Sequence, residues 1–207
     1  MTQISKFAQF FSWKRPLSRG MISYALIWPA GSLIQQTIAA EEKYDFIKAA
    51  RYSLWGSCYV APALHTWYTI ANRIWPLTNM RSVLAKVIAE QLTFSPFAMS
   101  CFLIGMTLLE GKTIQDAKNE LEAKFIPTYK IGLCVWPAIQ TFNYFVIKEK
   151  NRVVFMSFCS LLWTVFLAYV KQQELQSTTV ADPASSPQLA QAITKDSYLK
   201  TINTAER

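Results

Sequence analysis

The stretch W-P-A-I-Q-T-F-N-Y-F-V-I-K-E-K-N-R, from Trp136 to Arg152, decides how this chain reads. The uncharged segment Ile131 to Ile147 runs into Lys148, Glu149, Lys150, Asn151 and Arg152, and a second uncharged run follows from Val153 to Val170. Two apolar segments joined by a short basic turn form the pattern of two membrane helices. The first carries Trp136, Gln140 and Asn143, and offsets of four and three place all of them on one helical face. A membrane helix turns such a face toward its neighbours, because an amide facing lipid lacks partners.

Working outward, the same pattern recurs. Charge-free windows also run from Gly20 to Ala40, Tyr52 to Asn72 and Gln91 to Leu109. Each is close to the roughly 20 residues that cross about 30 Å of hydrocarbon. The 207-residue chain is 52% hydrophobic and only 16% charged, less charge than a soluble domain of this size carries. The soluble alternative is a bundle of unusually apolar helices. The expected fold is therefore all-α, a polytopic transmembrane bundle of four to five spans. Pro29, Pro62, Pro96 and Pro137 each interrupt one of the first four windows and remove a helical hydrogen bond there.

The residues between the windows set the domain plan. Residues 1–19 form a basic, aromatic segment without acids, which reads either as a mitochondrial address or as an interfacial helix leading into the first span. Residues 20–171 form the transmembrane domain. In the third loop, Ile114, Ala117, Leu121 and Phe125 recur at helical spacing, with Lys118/Glu122 and Glu120/Lys124 as ion pairs. That predicts an amphipathic surface helix. Residues 172–207 turn polar and read as a disordered tail.

Charge is lopsided. With five spans, the N-terminus and the loops after spans two and four share a side that carries ten Lys/Arg against Glu90 and Glu149, the whole of the +8 net charge. The other side has eleven basic residues and eleven acidic ones, so Lys/Arg counts alone barely separate the sides. The basic face is expected toward the matrix or cytosol, where anionic lipid meets it. Nucleic acid is not an expected partner.

Polar groups inside the spans are the candidate functional residues: Gln36, His65, Gln91, Gln140 and Asn143, with Arg152 at the mouth of the fifth window. In this setting they either line water or pair with one another. His65 is the only histidine, so a His-based metal cluster or His-pair relay within one chain is excluded. It reads as a hydrogen-bonded or interfacial side chain, or as a pH-sensitive pore residue. Glu90 reads as a partner of Lys86 four residues earlier, or as a gate. Ser53, Ser57 and Ala61 form a small-residue face for close helix packing. Arg152 is suited to cap the carbonyls ending span four, to bind a lipid phosphate, or to select anions. Cys58, Cys101, Cys134 and Cys159 show no zinc spacing. No P-loop, dinucleotide motif, metal quartet or paired-carboxylate site is present, so neither an enzyme nor a cofactor is expected.

These residues also carry a resemblance. Trp136, Pro137, Gln140, Asn143, Tyr144, Arg152 and Trp163 are similar to the C-terminal signature of the Mpv/PMP family, which includes a twenty-two-kilodalton peroxisomal membrane protein and a mitochondrial inner-membrane relative. It continues upstream through Gly31 and Gln36, and through Arg51, Gly56, Pro62, His65, Trp67 and Tyr68. Ser32 stands where the family has Asp, Ala61 where it has Gly, and Lys148 where it usually has Pro. The five windows and the acid-free N-terminus lead to an expected mitochondrial inner-membrane location, with the peroxisomal membrane second. The resemblance implies a small pore or metabolite-permeation protein; the alternative is a non-conducting structural or interaction protein of the same membrane. The lipid bilayer is the implied partner, with small solutes if the bundle conducts; a homo-oligomer is left open.

Overall fold

A computed structural model describes residues 15–40 and 43–181 of the chain, with side chains to 169. All regular structure among them is helical. Helix α1 is Pro16–Ile38. Helix α2 joins Phe46–Trp55 to Ala61–Ile74 through a wide π turn, Gly56–Val60. Helix α3 joins Met80–Ala89 to Ser95–Leu109 through a second wide turn, Glu90–Phe94. Helix α4 is Ile114–Val146, and α5 is Arg152–Ala181 after a single 3-10 turn, Glu149–Asn151. The N-terminal expectation for residues 1–14 lies outside the described residues.

Local chemistry explains the helix starts. Pro16 sits in the first turn of α1, where its missing N–H costs nothing. Asp45 accepts the Lys48 N–H at 2.8 Å, and Asn79 accepts the Ser82 N–H at 2.9 Å. Thr113 and Asp116 cap α4 reciprocally, at 3.2 and 2.9 Å. Each such cap is worth about 1 kcal/mol. Both wide turns end two residues before a proline. The Ala61 N–H reaches back to the Gly56 carbonyl, and the Ser95 N–H to the Glu90 carbonyl, just ahead of Pro62 and Pro96. Widening the turn takes up the register that a proline ring denies to an α-helix.

The short connections make sequential helices antiparallel neighbours. Residues up to Val165 form one compact unit, and a second unit begins at Phe166. Within the first, α1 packs on α2, and α4 packs on α3. The Ser23 and Ser157 hydroxyls meet at 2.6 Å between α1 and α5. Gly20 allows that approach: a Cβ there would lie 2.5 Å from Val153 Cγ1.

Burial is inverted relative to a soluble bundle. Gln36, Lys86, Glu90, Gln91, Gln140, Asn143 and Arg152 are buried, whereas Leu26, Leu92, Phe97, Phe158 and Leu162 point outward. Among the described residues two helices, Met80–Leu109 and Glu149–Tyr169, are long and apolar enough to cross a membrane. Only 11% and 28% of their most apolar windows are buried, whereas a soluble core helix would be mostly covered.

One expectation changes. The amphipathic segment of the third loop is not a separate surface helix but the first half of the 33-residue α4. Its capping box starts the helix at Ile114, and Pro127 is accommodated within it. At 1.5 Å per residue α4 is about 50 Å long, well beyond the roughly 30 Å of a hydrocarbon core. The Lys118–Glu122 pair (3.8 Å) and the Lys124–Glu120 pair form on this half. At the other end, α5 continues to Ala181. The rest of the tail lies outside the described residues.

Candidate functional site

The buried polar groups converge on Glu90, the first residue of the wide turn in α3. Its carboxylate faces donors from two other helices. The Trp67 indole N–H donates from α2 at 2.9 Å, the Tyr144 hydroxyl donates from α4 at 3.3 Å, and the Gln140 amide donates to the second oxygen. All three neighbours donate, which suits a group that only accepts. Hydrogen bonds to a charged group are worth roughly 1.5–3 kcal/mol each, so three of them offset much of the cost of burial.

Tyr68 and Asn143 extend the network. The Tyr68 hydroxyl lies against both ends of the Gln140 amide, at 3.2 and 3.3 Å, and accepts the Asn143 amide at 3.1 Å. Asn143 also donates to the Gln140 carbonyl oxygen at 3.1 Å. The Tyr68 and Tyr144 rings meet edge to face, 5.6 Å between centroids. Gln140 and Asn143 thus face protein and hold α4 to α2.

Beyond Tyr144 the charge changes sign. The Lys86 ammonium lies 5.2 Å and the Arg152 guanidinium 5.1 Å from the centre of its ring. Such contacts are worth about 2 kcal/mol when desolvated. Arg152 donates to the Tyr144 carbonyl at 3.1 Å, in the last turn of α4. Arg152 and Lys86 also share one acceptor, the Asn72 side-chain oxygen Oδ1, at 3.2 and 2.9 Å. The Lys86–Glu90 pair expected from their spacing does not form, because Asn72 takes the ammonium while Trp67, Gln140 and Tyr144 take the carboxylate.

The other sequence candidates lie apart. Gln36 works as a backbone mimic: its amide donates to the Asp45 carbonyl at 3.2 Å and accepts the Asp45 N–H at 2.6 Å, closing the α1–α2 connection. The His65 imidazole is half-buried and makes no hydrogen bond among the described residues; only its carbonyl is engaged, by Thr69. Gln91 is buried beside Glu90, and its carbonyl accepts the Tyr129 hydroxyl at 2.5 Å. Its amide nitrogen has no partner among the described residues.

Sequence reasoning placed neither Trp67, Tyr68 and Tyr144 nor Asn72 in the site. The signal for the aromatics was their polar tips inside otherwise apolar windows. Asn72 ends its window like any interfacial residue and gave no signal.

The profile of the Mpv17 / PMP22 family matches residues 107–168, which include Gln140, Asn143, Tyr144 and Arg152. The chain is 30% identical over 171 residues to the Mpv17-like protein of Xenopus laevis, covering 82% of this chain and 83% of that one. It is 24% identical over 170 residues to the mitochondrial inner membrane protein Mpv17 of Caenorhabditis briggsae, covering 82% and 92%. The PXMP2/4 family protein 4 of Dictyostelium discoideum is 32% identical over 128 residues, 62% of this chain and 69% of that protein. No solved structure matches the chain.

Proposed function

The chain belongs to the Mpv17 / PMP22 family of mitochondrial inner-membrane and peroxisomal membrane proteins, and from that premise we propose that it is a five-span permeation protein for small solutes. In this reading α1, α2, α3, the second half of α4 and α5 cross the bilayer. The charged first half of α4 lies outside the hydrocarbon. No catalysis is assigned to it.

The observation that carries this reading is the inverted burial: a charged and polar centre at Glu90 surrounded by an apolar exterior. Ionisable side chains inside a membrane bundle mark solute or ion pathways more often than packing. Glu90 ties α3 to α2 and α4, and in this reading that arrangement is the closed one, with Trp67, Gln140 and Tyr144 as its latch. Opening would break those bonds together.

A second reading has its own support. Gln140, Asn143 and Tyr68 hydrogen-bond to one another, as a non-conducting structural or interaction protein requires. Conductance of the purified protein in planar bilayers separates the two. The permeation reading expects step conductance, with a raised open probability in Tyr144→Phe, which removes one strand of the latch. Silence from both proteins, each folded in the same bilayers, favours the structural reading.

A further inference from the structure

The basic end of the first unit holds more positive charge than the described residues answer. Lys86 is 1% exposed and Arg152 is 3% exposed. Both rest on the one Asn72 side-chain oxygen and on the Tyr144 ring, and Arg152 also donates to the Tyr144 carbonyl. Buried cations are normally paired or saturated with hydrogen bonds. Here Lys86 has no ion pair among the described residues, and Arg152 has only a long one, to Glu149. The Arg152 Nε–H is buried with no hydrogen-bond partner among the described residues. The Lys86 ammonium has three N–H groups and one hydrogen-bond acceptor, Asn72. No ion pair joins Glu90 to either cation among the described residues.

Among the described residues the carboxylate at this end is Glu149, and it is loosely held. It accepts the Asn72 amide at 2.8 Å and lies 3.8 Å from Arg152 Nη1, outside hydrogen-bond distance, with its side chain 73% exposed. An exposed pair at that separation is worth little. Glu149 therefore stands at an anion position without filling it.

We propose that Lys86, Arg152 and the Asn72 amide form a binding site for a phosphate-type oxyanion, and that Glu149 is a tethered carboxylate which the ligand displaces. A guanidinium presents two parallel N–H groups that match two oxygens of one phosphate, and an ammonium beside it answers a third. A monocarboxylate such as Glu149 neutralises only one of the two cations; a phosphate monoester or inorganic phosphate neutralises both. The group can belong to a free phosphate or to an anionic lipid headgroup. The inference does not rest on solute permeation, since its readout is binding.

The test uses the purified full-length chain in a neutral detergent, melted at constant ionic strength and followed by tryptophan fluorescence. The probes are inorganic phosphate, short-chain phosphatidic acid and, as the zwitterionic control, short-chain phosphatidylcholine. Saturating phosphate is expected to raise the melting midpoint by about 3 °C over chloride. Glu149→Ala, an exposed substitution that leaves the packed residues in place, is expected to tighten phosphate about 5-fold by removing a competing negative charge. Lys86→Met is expected to abolish the shift. A shift with phosphatidic acid alone assigns the oxyanion to a lipid headgroup; a shift with inorganic phosphate assigns it to a free phosphate. Melting that neither probe raises above chloride, in the native chain and in Glu149→Ala alike, overturns the proposal. So does an affinity that Glu149→Ala leaves unchanged, because the anion then binds elsewhere.

Discussion

Trp67 on α2 donates its indole N–H to the Glu90 carboxylate on α3 at 2.9 Å, inside a bundle whose outward side chains are apolar. A tryptophan at a membrane depth usually offers its N–H to the interface. Here it is spent on a buried acid, and that acid is bound by α4 as well.

Removing this contact should weaken the bundle. Trp67→Phe keeps most of the ring volume and leaves Glu90 one donor short. The expected loss is about 1–3 kcal/mol, the cost of a buried group left partly unsatisfied. Glu90→Gln should lose a similar amount, because an amide N–H₂ then meets donors. Thermal melting in detergent checks both, and midpoints equal to the native chain would refute the network.

Arg152 is expected to tolerate neither Lys nor Gln. Its guanidinium reaches the Tyr144 carbonyl and Asn72 at once, and lies against the Tyr144 ring. Lys keeps the charge but not the fork; Gln loses both. Folded yield on size-exclusion chromatography should fall in both, more with Gln. Normal yield with altered anion permeability in the Gln variant alone would mean that charge selection, not anchoring, is its role.

Gln140 and Asn143 are buried, whereas Phe158 is exposed. In a background with the four native cysteines replaced, Cys at 140 or 143 should react with a lipid-soluble maleimide at least about tenfold more slowly than Cys at 158, since the reagent must wait for local opening. Equal rates would place the polar face of α4 toward lipid.

Organelle fractionation checks the membrane assignment. The chain is expected in the pellet after alkaline carbonate treatment of mitochondria, resistant because apolar helix surface, not charge, holds it. Release into the supernatant would exclude an integral protein, and co-sedimentation with peroxisomal markers would select the second compartment.

Much of this protein was legible residue by residue. Charge-free windows marked the helices, because a chain that must satisfy its own backbone in lipid has little choice but to coil. The four-and-three spacing of Trp136, Gln140 and Asn143 named the inward face of α4, and the pairs Lys118/Glu122 and Glu120/Lys124 followed from one-turn offsets. These are local relations, set by a 3.6-residue period. The helical continuity from Ile114 to Val146 was missed because charge, used to find windows, separates water from lipid and not helix from loop.

Partner choice belonged to the tertiary structure alone. Lys86 and Glu90 share a face one turn apart, yet each finds its contacts on other helices, Asn72 for one and Trp67, Gln140 and Tyr144 for the other. Gln36 looked like a span's polar group and became the brace of a loop. Periodicity states which way a side chain points; only the packing of α2, α3 and α4 sets what waits there. A buried charge binds whichever groups replace its lost water, and at Glu90 those groups lie 23, 50 and 54 residues away along the chain.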